Sequence, residues 1–444
     1  MASTLVFHGT VIHCLSLTEL DIMTNTAVIV DQGKGVIARI ERNVYDVDAL
    51  LQKLNLTNCT VHRLSRYQFL LPGFVDTHAH APQYVFSGSG MDLQLLDWLN
   101  TYTFPVESRF KSVDYAKEAY TKVVSRFLRN GTTTCSWFAT IHLESCKALT
   151  DILEEKGQRA YIGKVNMDQN SPDYYIEKTS TSLQETEAFI QYVQGKSNPL
   201  LTPVITPRFA ITCSSQLMQG LGKLAKKYDI PVQTHLCENP NEIEFTCSLF
   251  PASKHYTGIY DDHGLLGSKS YMAHCVHMKE EEVDLLVARQ TGVSHCANSN
   301  FSLHSGMCDV RRFLNKGIKV GLGTDVAGGF APSILDAIRT SFFASKTNMI
   351  MHRDHLHKPY SPLTPIELLF LATLGGAQVL GLQDTIGNFV VGKAFDALVV
   401  DVGNDPVDVF GKETESQLLE KFLFNGNEQN LSQVYVQGRK VSGV

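Results

Sequence analysis

Between residues 71 and 380 the chain alternates short apolar runs with helical stretches. Eight runs read as strands: 74–80, 132–138, 160–168, 202–209, 231–238, 271–275, 292–298 and 318–325. Residues 114–129 and 217–228 carry clear helical periodicity, and 279–289 opens with an acidic turn that suits the helix dipole. Eight strand–helix repeats predict an α/β chain built on a (β/α)8, TIM-like barrel, in which functional groups sit where strands end. The polar candidates fall at such ends: His78 and His80, Arg208, His235 and Glu238, His274, and Asp325.

Residues 1–70 and 381–444 have a different texture. Runs at 5–9, 26–30, 35–40, 397–401 and 433–441 read as strands. Two strand-rich ends around a different middle predict that the ends meet as one small β-sandwich, with the barrel at 71–380. A chain of 444 residues, 43% hydrophobic and 19% charged, can bury a core of that size and gives no sign of disorder.

Composition narrows the partners. The formal charge is -6, with 39 Lys plus Arg against 45 Asp plus Glu, which argues against nucleic acid as the main partner. No stretch of about 20 apolar residues is present, so no membrane span is expected. The start, Met1-Ala2-Ser3-Thr4-Leu5, lacks a basic region ahead of a long apolar one, so no signal peptide is expected. The 10 cysteines, none spaced C-x-x-C, then read as reduced cytoplasmic thiols and not as a zinc ribbon or a redox site.

The coincidence of polar candidates with strand ends is the strongest signal in the sequence. It starts from Pro72-Gly73-Phe74-Val75-Asp76-Thr77-His78-Ala79-His80, whose histidine spacing alone is weak evidence. Residues i and i+2 of a strand point to one side, so His78 and His80 can offer two imidazoles to one metal ion. His235 and Asp325 end two further strands. Three histidines and one aspartate leave room for a water, the mark of a catalytic metal site. Glu238, three residues past His235, can move protons between that water and a substrate. His274 can hydrogen-bond the attacking water or stand behind the ligands.

These stretches, with Gln83, Asn130-Gly131-Thr132-Thr133-Thr134, Thr206-Pro207-Arg208-Phe209, Asn298-Ser299-Asn300 and Gly323-Thr324-Asp325-Val326-Ala327-Gly328-Gly329, resemble the amidohydrolase superfamily over nearly the whole chain. Gln83, Arg208-Phe209 and the Trp98-Leu99-x-x-Tyr102-Thr103-Phe104-Pro105 stretch resemble, more narrowly, its guanine-deaminating branch. The resemblance implies one zinc ion per chain on His78, His80, His235 and Asp325. It implies substrate contacts from His80, Gln83, Arg208, Phe209, His235, Glu238 and Asp325, catalytic roles for Glu238, His274 and Asp325, and a cytoplasmic homodimer. The implied reaction adds water to guanine at carbon 2, with release of ammonia and xanthine. An Arg208 fork matches the adjacent oxygen 6 and nitrogen 7 acceptors of that base. Cys237 and Ala297 stand where relatives often carry Ser and Pro, and neither replaces a ligand.

Other readings are weaker. The fourth strand lacks the lysine that bridges two metals in many superfamily members, and Lys164 lies mid-strand in the third, so one metal is expected. His142-Leu143-Glu144 matches half of the other zinc-deaminase signature, but no P-C-x-x-C follows. His352, His355 and His357 lie in polar surroundings and read as a solvated segment. A catalytically silent scaffold should have lost ligands, and none is missing. The ending Ser442-Gly443-Val444 fits a carboxyl-terminal ligand of a PDZ domain, beside the simpler reading of a frayed tail.

Overall fold

The computed structural model describes residues 4–352 and 360–443. Strands Phe74–His80, Thr132–Phe138, Arg159–Gly163 and Leu201–Pro203 pair in parallel as one sheet. Val232–Leu236, Ser270–His274, Gly292–His295 and Val320–Leu322 form a second parallel sheet. Ile205 bridges Val232 at one junction between them. At the other, Asp325 N donates to His78 O and His80 N to Val326 O, both at 2.9 Å. Eight strands thus follow one another in chain order in an α/β, TIM-barrel-like arrangement.

Residues are buried at every position of Phe74–His80 and Thr132–Phe138, as expected of parallel strands covered on both faces. Helix Val113–Arg129 packs Ala116, Ala119, Tyr120, Val123 and Phe127 inward at helical spacing, and the Ser112 side chain caps it by accepting from Tyr115 N. Helix Ser215–Tyr228 is capped in the same way by Ser214 and ends at Asp229 in the left-handed region.

Several predicted strands are shorter or broken. The 160–168 run divides into Arg159–Gly163 and Val165–Asn166, and the 202–209 run into Leu201–Pro203 and Thr206–Pro207. Pro203 and Pro207 have no N–H to give a ladder, and Gly163 lets Thr206 approach where a Cβ would collide with its Oγ1. The 292–298 run stops at His295, and Ala297–Ser302 is helical. Strand Val320–Leu322 ends before Asp325, whose φ of 48° turns the chain out of the ladder.

The chain ends do meet, as a single sheet. Thr4–Cys14, Leu20–Asp31, Val36–Glu41, Cys59–Arg63, Gln68–Pro72, Ala397–Asp401, Leu431–Val436 and Arg439–Gly443 form one eight-stranded sheet. It curls strongly: Phe7 and Tyr435 rings approach to 5.3 Å, although two strands separate theirs. In a flat sheet those strands would lie about 14 Å apart. The layers expected of a sandwich are therefore connected parts of one sheet. The 433–441 run is a hairpin and not one strand, because Gln437 and Gly438 both take positive φ and reverse the chain. One buried cluster joins the sheet's Ile12, Phe69, Leu398 and Val434 to Leu217, Leu236 and Leu322 of the barrel-like part. His355, His357 and the side chain of His352 lie outside the described residues, as does Val444.

Candidate active site

Four strand ends deliver the site. His78 and His80 leave Phe74–His80, His235 leaves Val232–Leu236, His274 ends Ser270–His274, and Asp325 follows Val320–Leu322. His274 and Asp325 both hold positive φ, at 71° and 48°, a strained conformation for such residues that clusters at functional sites.

The imidazoles converge on Asp325. Its Oδ1 lies 3.0 Å from His78 Nε2 and 3.3 Å from His80 Nε2, and its Oδ2 lies 3.7 Å from His274 Nε2. Ligand atoms of His78, His235, His274 and Asp325 all lie within 4.8 Å of one another. His80 stands beside this group, its Nε2 3.1 Å from His235 Nε2. His235 Nδ1 donates to Arg208 O at 2.6 Å, which leaves Nε2 unprotonated and aimed at the cluster. His274 Nδ1 bonds Asn300 Oδ1 at 2.8 Å and aims its Nε2 inward in the same sense. Buried Nε2 atoms of His78 and His274 make no hydrogen bond. Convergent, unsatisfied imidazole nitrogens around a carboxylate suit a divalent cation.

Electrostatics agree. Burial, aided by the neighbouring imidazoles, pushes His235 well below its usual pKa, and burial pulls His80 down to about 4. Neutral imidazole is the ligating form. Burial opposes ionisation of Asp325, yet His78, His80 and His274 outweigh it and hold the carboxyl well below its usual range. Glu238 behaves oppositely: burial, then the Asp325 charge, pushes it up to about 8 against one hydrogen bond from Ser305. Its Oε2 lies 3.4 Å from His274 Nε2. The turn presenting Glu238 is fixed by Glu242, whose Oε2 accepts from Glu238 N and Asn239 N.

A pocket opens onto these groups, lined also by Gln83, Arg208, Phe209, Leu95, Trp98, Leu99 and Leu303. Every sequence-predicted residue except His78 lines it, and His78 lies behind in the ligand cluster. Lys164 is elsewhere, in a buried pair with Glu177 at 2.5 Å. The residues that sequence reasoning missed are Glu107, paired with Arg208 at 2.8 Å, and Tyr175, Asn300 and Ser305, which bond Glu107, His274 and Glu238. The only hint was position: Glu107 follows the Phe104-Pro105 stretch by two residues, and Asn300 closes Asn298-Ser299-Asn300.

The sequence matches the model of the amidohydrolase family over residues 69–441. It is 45% identical to the guanine deaminase of Dictyostelium discoideum, over 98% of each chain. It is 42% identical to that of Homo sapiens, over 98% of this chain and 96% of the other. Among solved structures, guanine deaminase from C. acetobutylicum with bound guanine in the active site superposes with a TM-score of 0.91 at 38% identity, covering 99% of this chain and 100% of that one. The chain belongs to the amidohydrolase family.

Proposed function

We propose that this chain is a guanine aminohydrolase that converts guanine to xanthine and ammonia with one zinc ion per chain. The observation that carries the reading is one pocket holding three unlike elements. They are the histidine–aspartate cluster, a carboxyl held protonated beside it, and the Arg208 guanidinium. Full-length relatives bearing that activity support it.

His78, His80, His235 and Asp325 would hold the ion. When bound, the ion supplies a water acidified enough to act as a nucleophile near neutral pH. Asp325, its carboxyl held ionised by the neighbouring imidazoles, would accept a proton from the attacking water. Glu238 keeps its proton up to about pH 8 and delivers it to a ring nitrogen of the base, which readies the amino group to leave. His274, oriented by Asn300, faces both carboxyls and steadies the charge that develops between them. Phe209 covers the apolar face of the flat ring, and Arg208 and Gln83 meet its polar edge. One zinc is favoured over two because Lys164 is tied to Glu177 and, among the described residues, no lysine reaches the cluster.

The division into a (β/α)8 barrel at 71–380 and an end domain from 1–70 and 381–444 belongs to the same reading. So do a homodimer, a role in purine catabolism, a cytoplasmic setting, which the 10 free cysteines support, and a PDZ-type contact through Ser442-Gly443-Val444. The decisive experiment is an absorbance assay of guanine turnover with elemental analysis of the same sample. Turnover of guanine with one zinc per chain is the expected result; no turnover, or two tightly held ions, defeats the reading.

A further inference from the structure

The polar groups on the Arg208 side of the pocket meet at one carboxylate. Glu107, wholly buried, accepts from Arg208 Nη1 at 2.8 Å and Tyr175 OH at 2.7 Å on Oε2. On Oε1 it accepts from Arg208 Nη2 at 3.2 Å and from Gln83 Nε2 at 2.9 Å. Gln83 Oε1 in turn accepts from Ala327 N at 3.2 Å. That pair of bonds fixes the amide: its oxygen must face the Ala327 N–H and its NH2 the carboxylate.

Two consequences follow for the pocket. Gln83 turns its carbonyl to the Ala327 N–H and one NH2 hydrogen to Glu107, so its second NH2 hydrogen is a donor left for a ligand. Arg208 uses two N–H groups on Glu107, and its others have no protein acceptor among the described residues. Its guanidinium also sits 5.3 Å over the Phe104 ring, which limits tilt. Both lining side chains therefore present donors, in one fixed orientation. The paired charges of Arg208 and Glu107 also spare the pocket a net positive charge, so a neutral base suits it better than an anion.

We infer that Glu107 is the positioning residue for specificity at carbon 6: by clamping Arg208 and Gln83 with their free N–H groups as a donor pair, it selects purines with an oxygen there. This rests on the guanine reading above. A purine without that oxygen leaves buried donors unpaired, which sites of this kind penalise by large factors. A carboxylate serving only as a structural counter-ion would have no bearing on which purine is preferred.

The test compares hypoxanthine, which has the oxygen, with purine, which lacks it. Binding of each to the zinc-loaded protein is measured by calorimetry, for wild type and Glu107→Gln. Wild type should prefer hypoxanthine by about 100-fold or more, and Glu107→Gln should cut that preference to under about 10-fold. For guanine turnover, the loss in Glu107→Gln should fall on KM more than on kcat. Should Glu107→Gln fail to fold, Tyr175→Phe, which removes one bond to the same carboxylate, should lower the preference by about 3-fold or more at unchanged zinc content. A wild-type preference retained in the folded variant overturns the inference. Guanine turnover by wild type is measured first: its absence defeats the functional reading and this inference together, whereas turnover with an unchanged preference defeats this inference alone.

Discussion

At the scale of single residues, Glu238 and Arg208 make separable contributions. Glu238 is buried, with its pKa pushed up to about 8, and is not among the grouped ligand residues. Glu238→Gln should therefore keep zinc and guanine binding while turnover falls by roughly 10²–10⁴-fold, the size of a general acid–base contribution. Near-normal turnover in steady-state kinetics would assign the proton to another group. Arg208→Ala should instead lower kcat/KM for guanine by at least ~100-fold, about 3 kcal/mol for a lost charged hydrogen-bond pair. It also strands Glu107, so zinc content and circular dichroism must be checked in the same preparation. Unchanged efficiency would mean that Arg208 serves the barrel rim and not the substrate. The Glu107 partnership was not legible in the chain, because it spans 101 residues and joins the short helix Phe104–Glu107 to a residue just past Thr206–Pro207. His78 and His80 were legible, because strand alternation alone puts them on one side.

At the scale of elements, the strands of the barrel-like part were readable where their whole length is buried, as in Phe74–His80 and Thr132–Phe138. Where prolines or a positive φ interrupt the ladder, as at Pro203, Pro207, Asp325 and Gln437, apolar runs overstated strand length. Hydrophobicity records burial and not hydrogen-bond continuity. One element junction has a pH signature. His13, in Thr4–Cys14, accepts from Phe389 N through Nδ1 at 3.1 Å and faces Asp21 through Nε2 at 3.3 Å. Burial lowers its pKa, and the Asp21 contact only partly opposes that. Protonating Nδ1 would break the bond to Phe389. The neutral form is favoured in the folded state, so its contribution to stability is full above the unfolded value of about 6.5 and is lost as pH falls from there through the lower folded value. Urea midpoints taken from about pH 7.5 to about pH 5.5 should decline more steeply for wild type than for His13→Gln. Parallel declines would show that His13 does not titrate across this window.

At the scale of the whole molecule, the end sheet and the barrel-like part are held by more than the shared apolar cluster. Arg159 opens strand Arg159–Gly163, and Asp396 stands just before Ala397–Asp401. The guanidinium grips the carboxylate twice, Nε to Oδ2 at 3.1 Å and Nη2 to Oδ1 at 3.2 Å, with both residues 4% exposed. Asp396 also accepts from Gln437 N through Oδ1 at 2.8 Å and from Gly73 N through its carbonyl at 3.0 Å. One aspartate thus ties the C-terminal hairpin, the turn ahead of the His78 strand and the third strand of the barrel-like part. Asp396→Ala should cost about 3–5 kcal/mol, because Arg159 would remain as an uncompensated buried charge. Arg159→Met combined with Asp396→Leu should recover most of that loss, since the stranded charge and not the missing attraction dominates it. The shared core predicts one cooperative transition, with far-ultraviolet circular dichroism and guanine turnover lost together on denaturation in every variant. Activity lost well before the circular dichroism signal would mean that the two parts unfold independently. A cost below about 1 kcal/mol for Asp396→Ala would mean that water reaches Arg159 and that the apolar cluster alone joins them.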